Sequence, residues 1–493
     1  MATKKYNMVR NIVFSTITTL SSFFLFIILI AIGRVMGVDE YGIFNSALAI
    51  ATVFEMFTDL GLRDLSVRNV SRDQSLSELY IGNLLSWKLI LCSVVYIVMM
   101  LVVYLKGYEP RLVYAIYFLT ISAFLKSLKY AFRIFFQAHD MFAIDTGLVL
   151  QERTGLLVFC LLTLYTFKNL FAFIICFTTV RAVDFLITLI ILNWKIGKVR
   201  FKFNFQFIKK LQIDAIPLGM FFVILTIFSY IDIWMLTDMK GSHEVGLYSA
   251  AFRIYEGITI LPTILFLVVL PRLSELFVKD KRKHQELAVR VVKYMVIMAM
   301  PIVIFGISFS QFALHTFFNN EPEFWQASFA LQTLFLGIAF QFPNWMLNTI
   351  LISIDKQKII LMTGSAGLGF KVLLNYIIIP IYGYEGSAVA TVLGEALIFA
   401  LCSIYLYMHH IKIPVFKISF KPIFSAAIIF GIFYALKVFY HFDILIQILM
   451  AVLLAGIYIV LLLALKTFTM GEMNAFKENV LSLVSGRVAT SKA

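Results

Sequence analysis

Charged side chains are scarce in this sequence. They make up 14% of the 493 residues, whereas 61% of the residues are hydrophobic, and a soluble domain carries about 25% charged residues. A packed core cannot absorb so much apolar surface, because a folded soluble protein still needs a polar exterior. The chain is therefore predicted to be a polytopic membrane protein. Its net charge of +14 is expected in cytoplasmic loops rather than on a nucleic-acid-binding face.

Motifs for catalysis and nucleotide binding are also missing. The seven histidines are scattered, and there is neither a P-loop nor an HExxH pattern. A membrane transferase or ligase would need a carboxylate or histidine cluster in an extramembrane loop for metal or general-base chemistry. The sequence predicts that the protein is not an enzyme, is not driven directly by ATP and needs no cofactor, with proton or sodium coupling left open.

Cysteines are few, and all of them fall inside apolar runs. None has the spacing of a metal site or of a CxxC motif, and a cysteine in an apolar helix usually serves packing. The four are Cys92, Cys160, Cys176 and Cys402. No metal site is predicted.

Apolar stretches, by contrast, are abundant, and each is about 20 residues long, which is enough to cross a bilayer. We predict fourteen spans and no soluble domain. The spans lie near residues 11–33, 41–61, 80–105, 112–136, 144–167, 170–194, 213–237, 246–271, 289–314, 325–353, 357–380, 386–408, 421–440 and 445–466. The first run is long enough to span, so it is expected to be a helix rather than a cleaved leader. The predicted fold is all-α.

The distribution of lysine and arginine predicts the orientation. With both termini placed in the cytoplasm, most basic residues fall in inner segments, as the positive-inside rule expects. The inner loops 195–210 and 278–285 are basic, whereas the outer loops 319–324 and 382–386 are acidic or neutral. An odd number of spans would break this alternation of basic inner loops with acidic or neutral outer loops. We expect the protein in the cytoplasmic membrane with both termini inside.

One short segment occurs twice. EYGIFNSALAI covers residues 40–50, and EVGLYSAAFRI covers residues 244–254. They begin the second and the eighth predicted spans, so both copies cross the membrane in the same direction, as in a parallel repeat. The small side chains in both copies, Gly42 and Gly246 among them, allow close approach of helices.

The repeat predicts the domain organisation. A weaker echo pairs Asp140 with Asp355, each in the loop before the fifth span of its repeat. We predict two pseudo-symmetric six-helix lobes, residues 1–205 and 206–412, followed by two further helices and a cytoplasmic tail in residues 413–493. Two such lobes around a cleft are the architecture of an alternating-access transporter.

Several longer stretches carry a family resemblance. They are IGRVMGVDEYGIFNSALAI (32–50), DLGLRDLSVRNVSRD (59–73), DIWMLTDMKGSHEVGLYSAAFRIYEGI (232–258), VLPRLSEL (269–276) and KVLLNYIIIPIYGYEGSAVATVLGEA (371–396). Across nearly the whole chain, and in this order, the sequence resembles the polysaccharide transporter family, the O-antigen and capsule-unit flippases of the multidrug/oligosaccharidyl-lipid/polysaccharide exporter superfamily. Fourteen spans is the common count in that family.

The resemblance implies a function. A polyprenyl-pyrophosphate-linked oligosaccharide would be turned from the inner to the outer leaflet for surface polysaccharide assembly, with its lipid tail left in the bilayer. The implied partners are membrane lipids, a polysaccharide polymerase and other assembly proteins, and no nucleic acid. Related branches of the superfamily export cationic drugs by ion coupling or flip the peptidoglycan lipid precursor, and these are the alternatives.

Basic side chains within the spans are the candidates for contact with pyrophosphate, because a charge at mid-bilayer is costly and implies a cavity or a partner. Lys126, Lys129 and Arg133 fall at i, i+3 and i+7 of the fourth span and share one helical face. We predict that they form a cationic ladder open to the cytoplasm. The further candidates are Lys88, Arg253, Lys371 and, at the outer end of the first span, Arg34. Salt bridges and membrane anchoring are the structural alternative.

Buried carboxylates are the candidates for energy coupling. Asp232 and Glu395 have no basic residue within one turn of sequence, so we predict that one of them carries a proton or sodium ion. The alternative is a hydrogen-bonded carboxylate that locks two helices.

Two charged groups are expected to be structural. Arg181 and Asp184, at i and i+3, should pair with each other. Glu55 and Asp59 share a helical face that leads to Arg63, which predicts a network of these three residues.

Overall fold

Every secondary-structure element that the structure describes is a helix. The structure is a computed structural model, and it describes residues 14, 17, 18, 20–197, 201–259, 261–318, 321–439 and 444–468. Its α-helices are α1 (Ser22–Met56), α2 (Leu62–Arg72), α3 (Ser77–Lys106), α4 (Pro110–Ala138), α5 (Phe142–Phe167), α6 (Leu170–Lys195), α7 (Phe205–Met239), α8 (Ser242–Ile258), α9 (Leu261–Lys279), α10 (Lys281–Phe317), α11 (Ser328–Ser353), α12 (Gln357–Met408), α13 (Val415–Phe439) and α14 (Ile444–Ala464). Two 3-10 helices, Gln74–Leu76 and Pro322–Ala327, precede α3 and α11.

The helices confirm the predicted class. Within the described ranges, ten are long and apolar enough to cross a membrane, or eleven if α8 and α9 make one span. The chain is thus an all-helical, multi-pass membrane protein. The polar loops 195–210 and 278–285 are partly helical, since α7 begins at Phe205 and α10 at Lys281. Both terminal segments and the first two residues of the loop 319–324 lie outside the described residues, and so the placement of the termini stays a prediction.

Two of the long helices are broken at a glycine. Gly37 in α1 has φ 81° and ψ 179°, and Gly383 in α12 has φ 55° and ψ −136°. Glycine adopts such positive φ values readily because it lacks a Cβ. Unbroken, the 52 residues of α12 would measure about 78 Å, more than twice the ~30 Å hydrocarbon core. The breaks fall between the first and second, and between the eleventh and twelfth, predicted spans.

Local sequence explains where several helices begin and end. Asn169 caps α6, with its side-chain oxygen accepting from the backbone N–H groups of Phe171 and Ala172 at 2.9 and 3.1 Å. Asn204 caps α7 in the same way. Such caps satisfy N–H groups that the helix itself leaves unpaired. Pro110 occupies the first turn of α4, where its missing N–H is not needed.

The described residues form two compact units. The first comprises Met1–Ile260, Gln311–Gly337 and Lys356–Leu401, and the second comprises Leu261–Ser310, Ile338–Asp355 and Cys402–Ala493. Within the first, Leu84, Phe132 and Phe136 belong to the hydrophobic core. Within the second, the Tyr458 hydroxyl donates to the Ile297 carbonyl at 3.1 Å. These units follow packing, whereas the predicted lobes follow the repeat, so the lobe boundaries stay a prediction.

The two copies of the repeated segment pack against each other in the first unit, through α1 and α8. A Cβ on Gly42 would lie 1.7 Å from the carbonyl oxygen of Ser242, and a Cβ on Gly246 would lie 2.2 Å from that of Val38. Neither position can hold a side chain without moving backbone. The glycines recur because each copy needs one to let the other copy approach.

Backbone angles extend the repeat beyond its sequence match. Gly241 precedes the second copy at the position that Gly37 has before the first, and its φ and ψ, 86° and −177°, are nearly the same. Asp39 and His243, which also occupy equivalent positions, pair through Oδ1 and Nδ1 at 2.9 Å.

The weaker echo also recurs in the backbone. Asp140 and Asp355 both adopt positive φ, of 57° and 58°. This conformation is uncommon for a residue other than glycine, although Asp tolerates it better than most.

Candidate functional site

Lys126, the first member of the predicted ladder, lies beside a carboxylate of α1. Its Nζ is 2.7 Å from Glu55 Oε2, and the Lys126 side chain is 22% exposed whereas that of Glu55 is 3% exposed. The pair links α4 to α1 in the first unit. Lys126 keeps part of its surface accessible to a ligand.

Lys129 is the most enclosed member of the ladder. Its Nζ lies 2.9 Å from Glu152 Oε2 on α5 and 2.6 Å from Asp184 Oδ2 on α6, and the side chain is 1% exposed. The same Nζ donates to the carbonyl of Leu148 at 3.3 Å. Two carboxylates around one ammonium tie three helices together.

Arg133 makes a bidentate ion pair. Its Nε and Nη2 donate to the two carboxylate oxygens of Asp145 at 2.5 and 2.9 Å, and Gln137 also donates to Asp145 at 2.9 Å. The guanidinium carbon lies 5.0 Å from the centre of the Tyr130 ring, a distance typical of a cation–π contact. The ladder residues do share one face of α4, as predicted, and each meets a carboxylate of another helix.

Lys88 on α3 is buried within the same region. Its Nζ lies 2.6 Å from Asp59 Oδ1, and its side chain is fully enclosed. It also donates to the carbonyl and the hydroxyl of Ser127 on α4, at 3.2 and 3.1 Å. The ammonium thus makes one ion pair and two hydrogen bonds.

The predicted pairing of Arg181 with Asp184 is wrong. Asp184 pairs with Lys129, while Arg181 has its Nε 3.8 Å from Glu152 Oε1 and donates from Nη1 to the carbonyl of Ser122 at 3.3 Å. The spacing i, i+3 makes a contact within one helix available, but side chains of neighbouring helices lie closer here.

The predicted network of Glu55, Asp59 and Arg63 is wrong for the same reason. Glu55 and Asp59 pair with lysines of α4 and α3. Arg63 instead lies over the ring of Tyr130, at 5.0 Å.

Asp232 is the centre of a second, separate group in α7, α8 and α12. It is 0% exposed. Four side chains contact its carboxylate: Lys371 (Nζ to Oδ2, 2.7 Å), Tyr248 (Oη to Oδ2, 2.7 Å), Thr391 (Oγ1 to Oδ2, 2.6 Å) and Asn375 (Nδ2 to Oδ1, 2.7 Å). The carboxylate is thus neutralised by one cation and hydrogen-bonded on both oxygens.

The structure brings together two residues that the sequence assigned to different roles, Lys371 for substrate and Asp232 for coupling. Lys371 also donates to the carbonyl of Phe228 at 2.7 Å and lies 4.3 Å from the centre of its ring. Asp232 has no basic residue within one helical turn of its own sequence. The partner comes from a distant helix.

Two further predicted residues, Glu395 and Arg253, lie on α12 and α8, the helices that also carry partners of Asp232. Glu395 is buried on α12 and is within electrostatic range of Tyr255. Arg253 on α8 donates to Glu256 at 2.6 Å and to Asn45 of the first repeat copy at 3.0 Å.

Arg34, at the predicted outer end of the first span, is half-buried. It donates from Nη2 to the carbonyl of Thr316 at 3.2 Å, and its Nε is buried without a hydrogen bond.

A polar cavity of about 360 Å³ opens where α3, α4, α7 and α8 meet, and none of the predicted site residues lines it. At its wall Asp238 pairs with Lys106 at 2.5 Å and accepts a hydrogen bond from the Tyr108 hydroxyl. Partial burial, and then the Asp238 carboxylate, raise the pKa of Tyr108 well above its usual range. The cavity lies at the end of α3 that is predicted to face outwards.

Within the described ranges, no group of three or more His, Cys, Asp or Glu side chains could hold a metal ion.

Two family models match this chain and show its family. The model described as "Polysaccharide biosynthesis protein" matches residues 8–277, more than half of the chain, and a second model, MatE, matches residues 217–377. The chain belongs to the polysaccharide biosynthesis protein family. The predicted family and class are confirmed, and the protein is a membrane transporter rather than an enzyme.

Curated relatives of this family member are distant. A protein of Shigella flexneri named for O-antigen transport is 24% identical over 191 residues, which are 37% of this chain and 45% of that protein. The capsular polysaccharide biosynthesis protein CapF of Staphylococcus aureus is 21% identical over 82% of this chain and 100% of its own length. The match to the first of these thus covers less than half of the relative.

Solved structures show the fold. The lipid II flippase MurJ, in an inward closed conformation, aligns with a TM-score of 0.74 at 16% identity, over 91% of this chain and 98% of MurJ. An inward-facing multidrug resistance transporter of the MATE family in the MOP superfamily aligns with a TM-score of 0.62 at 14% identity, over 81% and 98%. The polysaccharide biosynthesis family member therefore has the fold of MOP-superfamily transporters.

Sequence reasoning missed two residues of this family member's charged interior. Asp145, the partner of Arg133, falls inside the predicted span 144–167 but is not among the predicted site residues; it lies in the first turn of α5. Asp145 and Glu152 stand at i and i+7, so they share one face of α5, and that periodicity could have marked both as inward-facing. Arg153 also falls inside the predicted span 144–167 and is not among the predicted site residues.

Proposed function

We propose that the chain moves a polyprenyl-pyrophosphate-linked oligosaccharide from the inner to the outer leaflet of the cytoplasmic membrane by alternating access, for surface polysaccharide assembly. The observation that carries the proposal is the set of basic side chains inside the membrane helices of a polysaccharide biosynthesis family member. Lys88, Lys126, Lys129 and Arg133 all contact or belong to α4.

Relatives support this substrate class. The Shigella relative is named for O-antigen, and the Staphylococcus relative for capsular polysaccharide. The lipid II flippase has a similar fold, and a lipid-linked substrate is common to the proposed function and to that protein's name. Membrane lipids and the enzymes that consume the flipped unit, a polymerase among them, would be the partners.

The helices support a topology of fourteen spans. We assign two spans each to the broken helices α1 and α12, one to α8 with α9, and one to α14. Added to the other eight long helices, this gives fourteen and returns both termini to the cytoplasmic side. Six spans would belong to each of the lobes 1–205 and 206–412, with the last two spans outside them.

Substrate contact in the proposal begins at Lys126. Removing a charge from water without a partner is costly, and that is why each ladder residue has a carboxylate beside it. A pyrophosphate carries more charge than one carboxylate and can compete for a partly exposed ammonium. Lys126 has one carboxylate and is 22% exposed. Lys129 and Lys88 would be reached only if helices separate, and Arg253 and Arg34 would act later, nearer the outer side.

Energy coupling in the proposal uses Asp232 or Glu395. A coupling ion acts only if it binds one conformation better than another. A proton or sodium ion at Asp232 would have to replace Lys371, which lies 2.7 Å from the carboxylate. Inward and outward states would then differ in whether this ion pair is closed.

Export of a cationic drug is the second candidate. The MatE model matches residues 217–377, which include Asp232, and a buried carboxylate is the group that a cation would need. The tight Lys371–Asp232 pair argues against it, because that carboxylate already has a cation.

Transport should be tested with purified protein in liposomes. Undecaprenyl-pyrophosphate-linked oligosaccharide, lipid II and a cationic dye are offered separately, with and without an imposed proton or sodium gradient. We expect flipping of the linked oligosaccharide and no movement of the dye. Gradient-driven movement of the dye alone would contradict the proposal. Deletion of the protein should cause lipid-linked glycan to accumulate in the inner leaflet.

A further inference from the structure

The polar cavity at the predicted outer side plays no part in the proposed transport path, since no residue assigned to substrate or ion lines it. It opens between two turns, one that joins α3 to α4 and one that joins α7 to α8. The first turn lies in the predicted lobe 1–205 and the second in the lobe 206–412. Each wall of the cavity therefore comes from a different predicted lobe.

The two walls are joined at Asp238, on the last turn of α7. Its Oδ2 lies 2.5 Å from Nζ of Lys106, the last residue of α3, and its Oδ1 accepts a hydrogen bond from the Tyr108 hydroxyl. Because the pKa of Tyr108 is raised by burial and then by this carboxylate, the hydroxyl keeps its proton and stays a donor. Three side chains thus hold the two turns together.

The charges of the lining cancel. Lys106 and Lys240 line the cavity together with Glu109 and Asp238, so two basic residues are matched by two acidic ones. A lining without net charge gives little Coulombic preference for an anion or a cation. A pyrophosphate is therefore a poor ligand for this cavity, and a neutral polar molecule is a better one.

Hydrogen-bonding groups of the lining remain available to such a molecule. Glu109 precedes α4, but its side chain does not cap the helix. Within the described residues it forms no ion pair, and the Ser242 hydroxyl makes no hydrogen bond. In addition, α3 ends at Lys106 and α7 at Met239, and the last carbonyls of a helix have no partner within it. The lining is thus rich in acceptors, which suits a ligand that carries several hydroxyl groups.

Apolar surface lies in the same cavity. Tyr108, Leu112 and Met239 belong to its lining. A pyranose ring has apolar C–H faces and a rim of hydroxyl groups, each of which can donate and accept hydrogen bonds. Pockets for small ligands combine apolar walls with a few polar groups and measure ~300–1,000 Å³. At about 360 Å³, this cavity suits a sugar residue rather than a whole repeat unit.

We propose that this cavity binds a neutral sugar residue of the surface glycan on the outer side of the membrane. Asp238, Glu109 and Ser242 bind its hydroxyl groups, and the sugar bridges the two turns. A ligand that contacts both turns favours the conformation in which they are close, so an occupied site keeps the outer side closed and slows export. The choice of a glycan rests on the proposed function. Its source is either free glycan outside or the sugars of the unit that has just crossed.

Binding to the full-length protein in nanodiscs tests the site and its source. The probes are a neutral repeat-unit oligosaccharide freed of lipid and phosphate, the same oligosaccharide on undecaprenyl pyrophosphate, and undecaprenyl pyrophosphate without sugar as the control. We expect Asp238→Asn and Glu109→Gln each to weaken sugar-dependent binding about tenfold, the usual effect of losing a charged hydrogen bond. Loss for the free oligosaccharide identifies glycan outside as the ligand, and loss for the lipid-linked form alone identifies the transported unit.

Matched variants separate the site from the fold. Asp238→Asn also breaks the ion pair with Lys106, whereas Glu109→Gln breaks none, so a loss in both variants is due to the cavity. Arg111→Gln should bind like the unchanged protein, because Arg111 lies at the same end of α4 but outside the cavity, paired with Glu40. Folding is checked by size-exclusion profile and thermal midpoint.

Flipping in liposomes gives a second measurement. Free oligosaccharide on both faces should slow flipping of the linked unit by the unchanged protein several-fold, and should slow Glu109→Gln much less. Equal flipping with and without an oligosaccharide that does bind would overturn the closing effect.

Two binding results would overturn the site itself. The first is that folded Asp238→Asn and Glu109→Gln bind both oligosaccharide probes as the unchanged protein does. The second is that neither of these probes binds more tightly than undecaprenyl pyrophosphate. In both cases, continued flipping of the linked unit by the same preparation leaves the proposed function intact.

Discussion

The two halves of the repeat share a backbone plan but place their buried charges differently. In α1 to α6, separate pairs such as Lys126–Glu55 and Arg133–Asp145 are spread along one face of α4. In α7, α8 and α12, one carboxylate, Asp232, gathers a lysine and three hydrogen-bond donors. Separate ion pairs can break one at a time, whereas the contacts of Asp232 form or break together. This difference suits stepwise contact with a substrate in the first half and a switch in the second.

The largest loss of stability should come from Lys129→Gln. It leaves Glu152 and Asp184 buried without their shared cation, and removing one partner of a buried pair costs ~3–5 kcal/mol. We expect a strongly lowered thermal midpoint in detergent. Lys126→Gln is the matched control, because Lys126 is partly exposed and serves a single carboxylate. Equal midpoints for the two variants would show that the Lys129 contacts contribute little.

The second-largest loss of stability should come from changing Asp232 in the second half. Asp232→Asn leaves Lys371 with the Phe228 carbonyl but no counter-charge, and we expect ~3 kcal/mol of destabilisation, the lower end of the range for breaking a buried pair. The double variant with Lys371→Met should recover most of the lost stability, because it has no buried lysine charge without a carboxylate. A double-mutant cycle on the thermal midpoints measures the coupling. Strictly additive effects would mean that the two side chains do not act as one unit.

The smallest effect should come from the glycines that both halves share. Gly42→Ala places a methyl group 1.7 Å from the Ser242 carbonyl, and such overpacking costs ~1–3 kcal/mol. Gly246→Ala should cost somewhat less, since its nearest oxygen is 2.2 Å away. Gly369→Ala is the control, with no atom within 4 Å. A harmless Gly42→Ala would mean that α1 and α8 are farther apart in the membrane.

The arrangement of the membrane helices was largely predictable from the sequence, because such helices must be long and apolar and because a repeat fixes their direction. The shared face of Lys126, Lys129 and Arg133 followed from helical periodicity alone. Their partners did not. A span has close neighbours that are distant in sequence. Windows of one helical turn therefore predicted a pair of Arg181 with Asp184 that the structure does not form, and they missed the pair of Lys371 with Asp232.

The contact between the repeat copies has the form of a dimer interface. Gly42 faces Ser242, and Gly246 faces Val38, each the residue four positions before the other glycine. This reciprocity defines an isologous contact around a twofold axis. Asp39 meets His243, its own counterpart across that axis. In a true homodimer a residue there would meet itself, and two aspartates would repel each other. An acid opposite an imidazole at the axis is an asymmetry that no homodimer can encode and that a single chain carrying both halves can.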